Sequence, residues 1–222
     1  MTSLPYVAPF GTVIALLAVR PYLHLSPLAE QAVWILVMIA VLALVSRPVL
    51  FNQRDFRVRN WGGSVLVGVV VFAIWIGPDR ILPGYHSYWL FSNSITGSVA
   101  GSLPESSRAD AAVLTLRTLR AAIFVPIAEE LFWRAWLMRW AISQDFTKIP
   151  LGAWSARAFW IVAVLFALEH GALWDVGLVA GILYNWWIVR TKSLGDVIVA
   201  HGVTNAVLSA YVIFANQWQY WP

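Results

Sequence analysis

The stretch AAVLTLRTLRAAIFVPIAEELFWRAWLMRW, residues 111–140, decides the fold of this protein. A helix needs about 20 apolar residues to cross the hydrocarbon core of a bilayer, so this block can span one with a tilt or a break. Asp110 is placed to cap its start. Pro126 cannot donate the usual helical hydrogen bond, so we expect a kink or a break near it.

Other apolar blocks lie on both sides of this one. Backbone groups in lipid must be satisfied within their own segment, so each block predicts a helix. We therefore expect an all-α polytopic membrane protein, a bundle of about seven to eight transmembrane helices. No linker or repeat divides the chain, which predicts one membrane domain, 1–222, with N-terminal helices in 7–103 and catalytic core helices in 110–215. The further blocks are Val7–Leu23, Leu28–Ser46, Trp61–Gly77, Ala156–His170, Asp175–Val189 and Val197–Ala215.

The composition supports a membrane protein and excludes other classes. Hydrophobic residues make up 60% of the chain and charged residues 12%, whereas soluble domains are about half apolar and about a quarter charged. The chain has no Cys, which excludes disulfides and thiolate metal sites. The net charge of +4 comes mostly from short loops. No aromatic-basic nucleic-acid module is present, so we expect no nucleic-acid partner.

The polar stretch Tyr85–Leu103 leaves the number of spans open, because it could span, re-enter or lie at the surface. If it does not span, the basic loops Arg139–Arg157 and Arg190–Asp196 fall on the same side as the basic loop Arg47–Arg59. Cytoplasmic loops are enriched in Lys and Arg. We therefore favour seven spans with these loops in the cytoplasm, in a prokaryotic inner membrane.

The acidic pair in the 111–140 block predicts a division of roles. Adjacent residues on a helix point about 100° apart, so Glu129 and Glu130 face different ways. Glu130 and Arg134 are four residues apart and can form an ion pair. Glu129 is left without a local partner, and a buried unpaired carboxylate suits a general base. The alternative is that both glutamates serve helix packing.

Two further apolar blocks carry polar groups at helical spacing. Phe166 and His170 share a face at the end of their block, whereas Glu169 is expected to face elsewhere. His201 and Asn205 are also four residues apart and project to one place. Taken singly, a His at a helix end such as His170 is usually a satisfied or interfacial residue. His201 and Asn205, taken singly, are as consistent with an interhelical hydrogen bond as with catalysis.

The combination indicates chemistry. If the three helices converge, they place a base, two imidazoles and an amide donor around one pocket, which suits water attack on a carbonyl. Two alternatives stay open. One is a non-catalytic membrane scaffold or immunity-type protein with a retained polar core. The other is a proton-coupled transporter, because buried Glu and His also form proton relays.

The three motifs resemble those of a known family. Glu129-Glu130-Leu-Phe-Trp-Arg134 looks like the EExxxR motif of the CPBP (CAAX protease and bacteriocin-processing) intramembrane endopeptidases, which include the type II CAAX prenyl endopeptidases. Phe166 to His170 resembles their FxxxH motif and His201 to Asn205 their HxxxN motif. The resemblance covers roughly 111–215 in the family's order.

The resemblance implies an intramembrane endopeptidase of glutamate or metallo type. Glu129 and His170 would activate the water, His201 and Asn205 would stabilise the oxyanion, and Glu130 and Arg134 would brace the fold with Phe166. The expected partners are membrane lipid and a membrane-anchored protein or peptide substrate, including one of CAAX type. No cofactor is favoured, but Glu129, His170 and His201 would also make a His₂Glu zinc set.

Overall fold

In the computed structural model, which describes residues 3–51 and 53–221, the chain is a bundle of helices. The outermost residues of the predicted domain, Met1, Thr2 and Pro222, lie outside the described part. Two short helices, Arg47–Leu50 and Gln53–Phe56, lie in the loop before α3. The main helices are α1 (Leu4–Leu23), α2 (Pro27–Leu44), α3 (Trp61–Ile81), α4 (Ala111–Trp140), α5 (Ala156–Leu168), α6 (Trp174–Thr191) and α7 (Leu194–Ala215).

Across the described residues, six helices are long and apolar enough to cross a membrane. The predicted all-α polytopic membrane fold is thereby confirmed. α5 is not one of the six. Its 13 residues rise about 20 Å, less than the roughly 30 Å of a bilayer core. The predicted span Ala156–His170 is thus a helix that ends inside the bundle, and this short length places the residues after it beside the other helices.

Small polar residues start the helices, as the sequence predicts for α4. The side chain of Asp110 accepts hydrogen bonds from the backbone N–H groups of Ala112 and Val113. Such a cap satisfies donors that have no partner within the first turn. Asn60, Ser155 and Ser193 cap α3, α5 and α7 in the same way.

The stretch Tyr85–Leu103 does not span. It contains a 3₁₀ turn at Tyr85–Ser87, a tight turn closed by Asn93 and Gly97, and otherwise irregular backbone. The possible eighth span is therefore excluded, in agreement with the preferred reading. His86 anchors this segment, because its Nδ1 lies 2.5 Å from Asp79 Oδ2 and its Nε2 lies 3.0 Å from Asp175 Oδ1.

The connections collect at two ends of the bundle. One end, here called the basic end, carries segments 45–60, 139–157 and 190–193. They are joined by bonds from Arg59 N to Asp196 Oδ1 (2.9 Å), from Ser193 Oγ to the Arg57 carbonyl (2.7 Å), and from Lys192 Nζ to the Gly152 carbonyl. The three predicted basic loops therefore do lie on one side.

The other end, here called the opposite end, carries 82–110 and 216–221. The backbone N–H of Ser102 donates to the Trp221 carbonyl (2.9 Å), and the Tyr220 hydroxyl donates to Asp79 Oδ2 (3.1 Å). The backbone of 82–110 also reaches down to the turn after α5, where the Thr96 carbonyl packs on Gly171. A Cβ on Gly171 would lie 2.7 Å from that oxygen, so the approach requires glycine.

Candidate active site

Residues of all three motifs line one cavity of about 230 Å³ inside the bundle. Glu129 enters it from α4, His170 from the turn after α5, and His201 and Asn205 from α7. Phe166 forms part of the wall. The structure therefore brings together the four residues predicted to be catalytic, although they are spread over 77 positions of the chain (129 to 205, inclusive).

The predicted ion pair within α4 is present. Arg134 Nη1 donates to Glu130 Oε1 at 3.0 Å, and neither side chain has exposed surface. Arg134 Nε donates to Asn185 Oδ1 on α6 (3.1 Å), and its guanidinium lies 4.4 Å from the centre of the Phe166 ring. A buried charge pair needs such additional partners to offset its loss of hydration. The pair therefore fastens α4 to α5 and α6.

Glu130 also binds the imidazole ring of His201, which lines the cavity, and sequence spacing did not predict this contact. Its Oε1 accepts a hydrogen bond from His201 Nδ1 at 2.8 Å. The Tyr184 ring stacks on His201, with centroids 5.0 Å apart and an interplanar angle of 22°. The Tyr184 hydroxyl donates to Thr204 Oγ1 (2.7 Å). His201 is thus fixed in orientation, with Nδ1 protonated and Nε2 turned to the cavity.

Glu129 is not fastened in the same way. Like Glu130 Oε2, its Oε2 is buried without a hydrogen-bond partner among the described residues, and it lies 3.9 Å from His201 Nε2. That distance is too long for a hydrogen bond. A buried carboxylate that faces a cavity in this way is suited to accept a proton from a molecule held there.

His170 has a defined tautomer. Its Nδ1 lies 2.7 Å from the Phe166 carbonyl oxygen. A carbonyl can only accept, so Nδ1 carries the hydrogen and, in the neutral ring, Nε2 is an acceptor. Trp75 packs edge-on against the ring at 5.1 Å. Gly177 makes room for it, because a Cβ there would lie 3.2 Å from His170 Cβ and Nδ1.

Asn205 is anchored by an irregular turn of α4. Residues Arg120–Phe124 are π-helical, and the N–H of Val125 donates five residues back to the Arg120 carbonyl. The next bond of this register would join Pro126 to the Ala121 carbonyl, but proline has no N–H. Asn205 Nδ2 donates to that free carbonyl at 2.9 Å. The predicted irregularity at Pro126 thus has a role in positioning Asn205, whose second amide hydrogen remains available.

The sequence favours a helix-packing role for Tyr184 and Asn185, and both make polar contacts between helices. They lie with Gly177 and Gly181 on one side of α6. Glu169 was expected to face elsewhere. It lines the neighbouring cavity instead of the active-site cavity, and its Oε1 lies 4.0 Å from His170 Nδ1.

The residues as placed do not fit the zinc set considered above. Among the described residues, no three His, Cys, Asp or Glu side chains are grouped to hold a metal ion. His201 Nδ1 is engaged by Glu130 and His170 Nδ1 by a carbonyl, so each ring keeps its Nε2 as the candidate ligand atom. Of the candidate ligand atoms, His201 Nε2 and Glu129 Oε2 lie 3.9 Å apart, wider than two ligands about 2.0–2.2 Å from a tetrahedral ion.

Comparison with known families agrees with the motifs. Residues 111–207 match the model of the family described as type II CAAX prenyl endopeptidase Rce1-like. This region is similar to the Rce1-like family. The match begins at the start of α4 and ends just after Asn205, so it covers all three motifs. Comparison with curated proteins and with solved structures gives no match.

The Rce1-like family is one of CAAX-type proteases, which confirms the resemblance read from the motifs. The chain is thus a multi-pass membrane protein whose second half is related to proteases. The match does not extend to α1–α3. Of those helices, α3 supplies Trp75 to the cavity.

Proposed function

We propose that the protein is an intramembrane endopeptidase that hydrolyses a peptide bond of a membrane-anchored protein or peptide by direct attack of water. The observation that carries this proposal is the meeting of Glu129, His170, His201 and Asn205 around one cavity. The Rce1-like match supports the reaction class. In this arrangement side chains alone supply the general base and the hydrogen-bond donors.

In this mechanism Glu129 takes a proton from a water held in the cavity. His170 helps to position that water, because its Nε2 can accept one of its hydrogens. The water oxygen attacks the scissile carbonyl carbon, which becomes tetrahedral and negatively charged on its oxygen. Glu129 then passes the proton to the leaving amine as the C–N bond breaks.

His201 and Asn205 stabilise the oxyanion. Because His201 Nδ1 already donates to Glu130, the ring can donate from Nε2 only as an imidazolium. The Glu130 carboxylate faces this imidazolium at Nδ1, and the oxyanion balances its charge at Nε2 once Glu129 has taken the proton of the water. Asn205 contributes its free amide hydrogen. Donors fixed before the reaction are worth about 10²–10³ in rate each.

The substrate must place a peptide bond in a cavity within the bundle. A membrane-anchored segment reaches this depth more readily than a folded soluble protein, because its anchor already lies beside the helices. A CAAX-type tail is the substrate that the family suggests for a first assay.

The test is cleavage of a membrane-anchored CAAX-type peptide by protein purified in detergent, with metal content measured on the same sample. The matched control is Glu169→Gln, which changes a second carboxylate near His170. The proposal expects cleavage by the wild type and by Glu169→Gln, and none by Glu129→Gln. Cleavage by Glu129→Gln would overturn the assignment of the base. Stoichiometric zinc that activity requires would overturn the metal-free mechanism.

A further inference from the structure

The direction in which the active-site cavity extends is visible from its walls. On α7 the lining residues run from His201 to Ser209, and on α4 they run from Glu129 back to Arg117. The two helices are antiparallel, and both series lead away from the basic end. Tyr220, in the segment 216–221 at the opposite end, also lines the cavity.

Two further cavities continue this path. One of about 290 Å³ shares Trp75, His170 and Tyr220 with the active-site cavity and is lined by Ser98 and Gln219. The next, of about 480 Å³, shares Gln219 and Tyr220 with it and includes residues of the surface segment 82–110, such as Gly84. Together they form a series of cavities with shared walls that leads from the active site to the opposite end.

Towards the basic end the site is closed by packed side chains. Ile188 and Val197 lie one helical turn beyond Tyr184 and His201 on that side, and neither has any exposed surface. Arg134 is equally buried. A cavity at the basic end, which includes Arg139 and Lys192, shares no described lining residue with the active-site cavity.

Charge orients the bundle in the membrane. Nine of the 15 Lys and Arg residues lie at the basic end, and loops rich in Lys and Arg face the cytoplasm. Five of the other six lie at or near the opposite end, so the excess is at the basic end. The five are Arg20, Arg80, Arg108, Arg117 and Arg120. The nine are Arg47, Arg54, Arg57, Arg59, Arg139, Lys148, Arg157, Arg190 and Lys192.

We infer that the active-site cavity opens at the non-cytoplasmic face, so that the substrate is a membrane-anchored protein whose scissile segment lies on that side. This inference rests on the proposed function for its substrate and on the cavity walls and the charges for its direction. A tail that is confined to the cytoplasm would meet the sealed end.

The absence of Cys from the sequence makes a direct test possible, because single cysteines can be introduced without others to remove. Ser98→Cys places a thiol on the exposed path at the opposite end. Lys148→Cys places the control at the basic end, where the Lys148 side chain is 82% exposed. Both are produced in a bacterial inner membrane and treated in spheroplasts with a membrane-impermeant maleimide.

The expected result is labelling of Ser98→Cys in spheroplasts and of Lys148→Cys only after permeabilisation. The reverse pattern, or labelling of both from one side, would overturn the inference. This readout needs no activity, so its failure is distinct from failure of the proposed function.

A second arm uses a single-span reporter with its cleavage segment on one side of the membrane or on the other. Only the reporter with a non-cytoplasmic segment should be cleaved. Maleimide added to spheroplasts should abolish its cleavage by Ser98→Cys, and untreated Ser98→Cys is the control. Cleavage of the cytoplasmic reporter alone would contradict the inference while leaving the endopeptidase proposal standing.

Discussion

Two polar regions meet at α4, and they use the same kinds of side chain for different purposes. The buried cluster, defined as Glu130, Arg134 and Asn185, is closed to solvent and its charges are paired across three helices. The cavity cluster, defined as Glu129, His170, His201 and Asn205, lines an open space. Both glutamates have a buried Oε2 without a hydrogen-bond partner among the described residues, but Glu130 accepts two hydrogen bonds through Oε1. Glu129 Oε2 lies 3.9 Å from the nearest nitrogen of His201 and faces the cavity. A buried carboxylate that is not fastened to a cation and lies beside a cavity is a candidate for chemistry.

The largest effect should follow from breaking the buried cluster. Arg134→Leu leaves the Glu130 carboxylate buried without its cation, and breaking one partner of a buried pair costs about 3–5 kcal/mol. We expect little folded protein, measured by size-exclusion chromatography and thermal unfolding in detergent. The double variant Glu130→Leu/Arg134→Leu removes both charges and should recover part of the stability. Equal loss in the single and double variants would contradict the pairing.

The two asparagines allow a direct comparison of the clusters, because one belongs to each. Asn205→Ala removes a proposed oxyanion donor and should lower the cleavage rate by about 10²–10³ with the fold retained. Asn185→Ala removes a partner of Arg134 and should instead lower the free energy of unfolding by about 1–3 kcal/mol. Cleavage per folded molecule and thermal unfolding are measured on both. If both variants changed cleavage and stability to the same extent, the clusters would not differ in role.

A subtler change moves His170 without removing it. Gly177→Ala adds a Cβ that would lie 3.2 Å from the His170 side chain, and a small displacement of a catalytic group can cost up to about 10² in rate. We expect reduced turnover with the fold preserved. The matched control is Gly77→Ala on α3, where a Cβ meets nothing within 4 Å. Unchanged turnover in Gly177→Ala would show that the position of His170 is not critical.

The smallest effect should come from removal of metal. Since the cavity residues as placed do not form a ligand set, dialysis against a chelator should leave cleavage unchanged. Activity that is lost on chelation and returns with zinc would require the cavity residues to regroup around an ion.

The sequence predicted the helices well because lipid imposes a simple rule. A backbone that cannot bond to water must form helices. The helix at 111–140 and the neighbouring helices could therefore be predicted from the hydropathy of the sequence. The i,i+4 spacing also predicted the Glu130–Arg134 pair, because both partners lie on one helix. The polarity and the turn residues of Tyr85–Leu103 left its path open, since the bonds from His86 to Asp79 and Asp175 that anchor it join distant positions.

Contacts between helices were less predictable. The hydrogen bond from His201 to Glu130 joins residues 71 positions apart, and no spacing rule reaches that far. The convergence of the four cavity residues was a hypothesis from their order and chemistry, and the shared cavity places them as that hypothesis required.

The division of roles between the two adjacent glutamates is tested most directly by Glu129→Gln and Glu130→Gln, each measured for cleavage of a membrane-anchored peptide and for thermal unfolding in detergent. The account predicts that Glu129→Gln unfolds like the wild type and has lost cleavage by about 10²-fold or more. Glu130→Gln should be markedly less stable. Cleavage that survives in a fully folded Glu129→Gln protein would contradict the central claim.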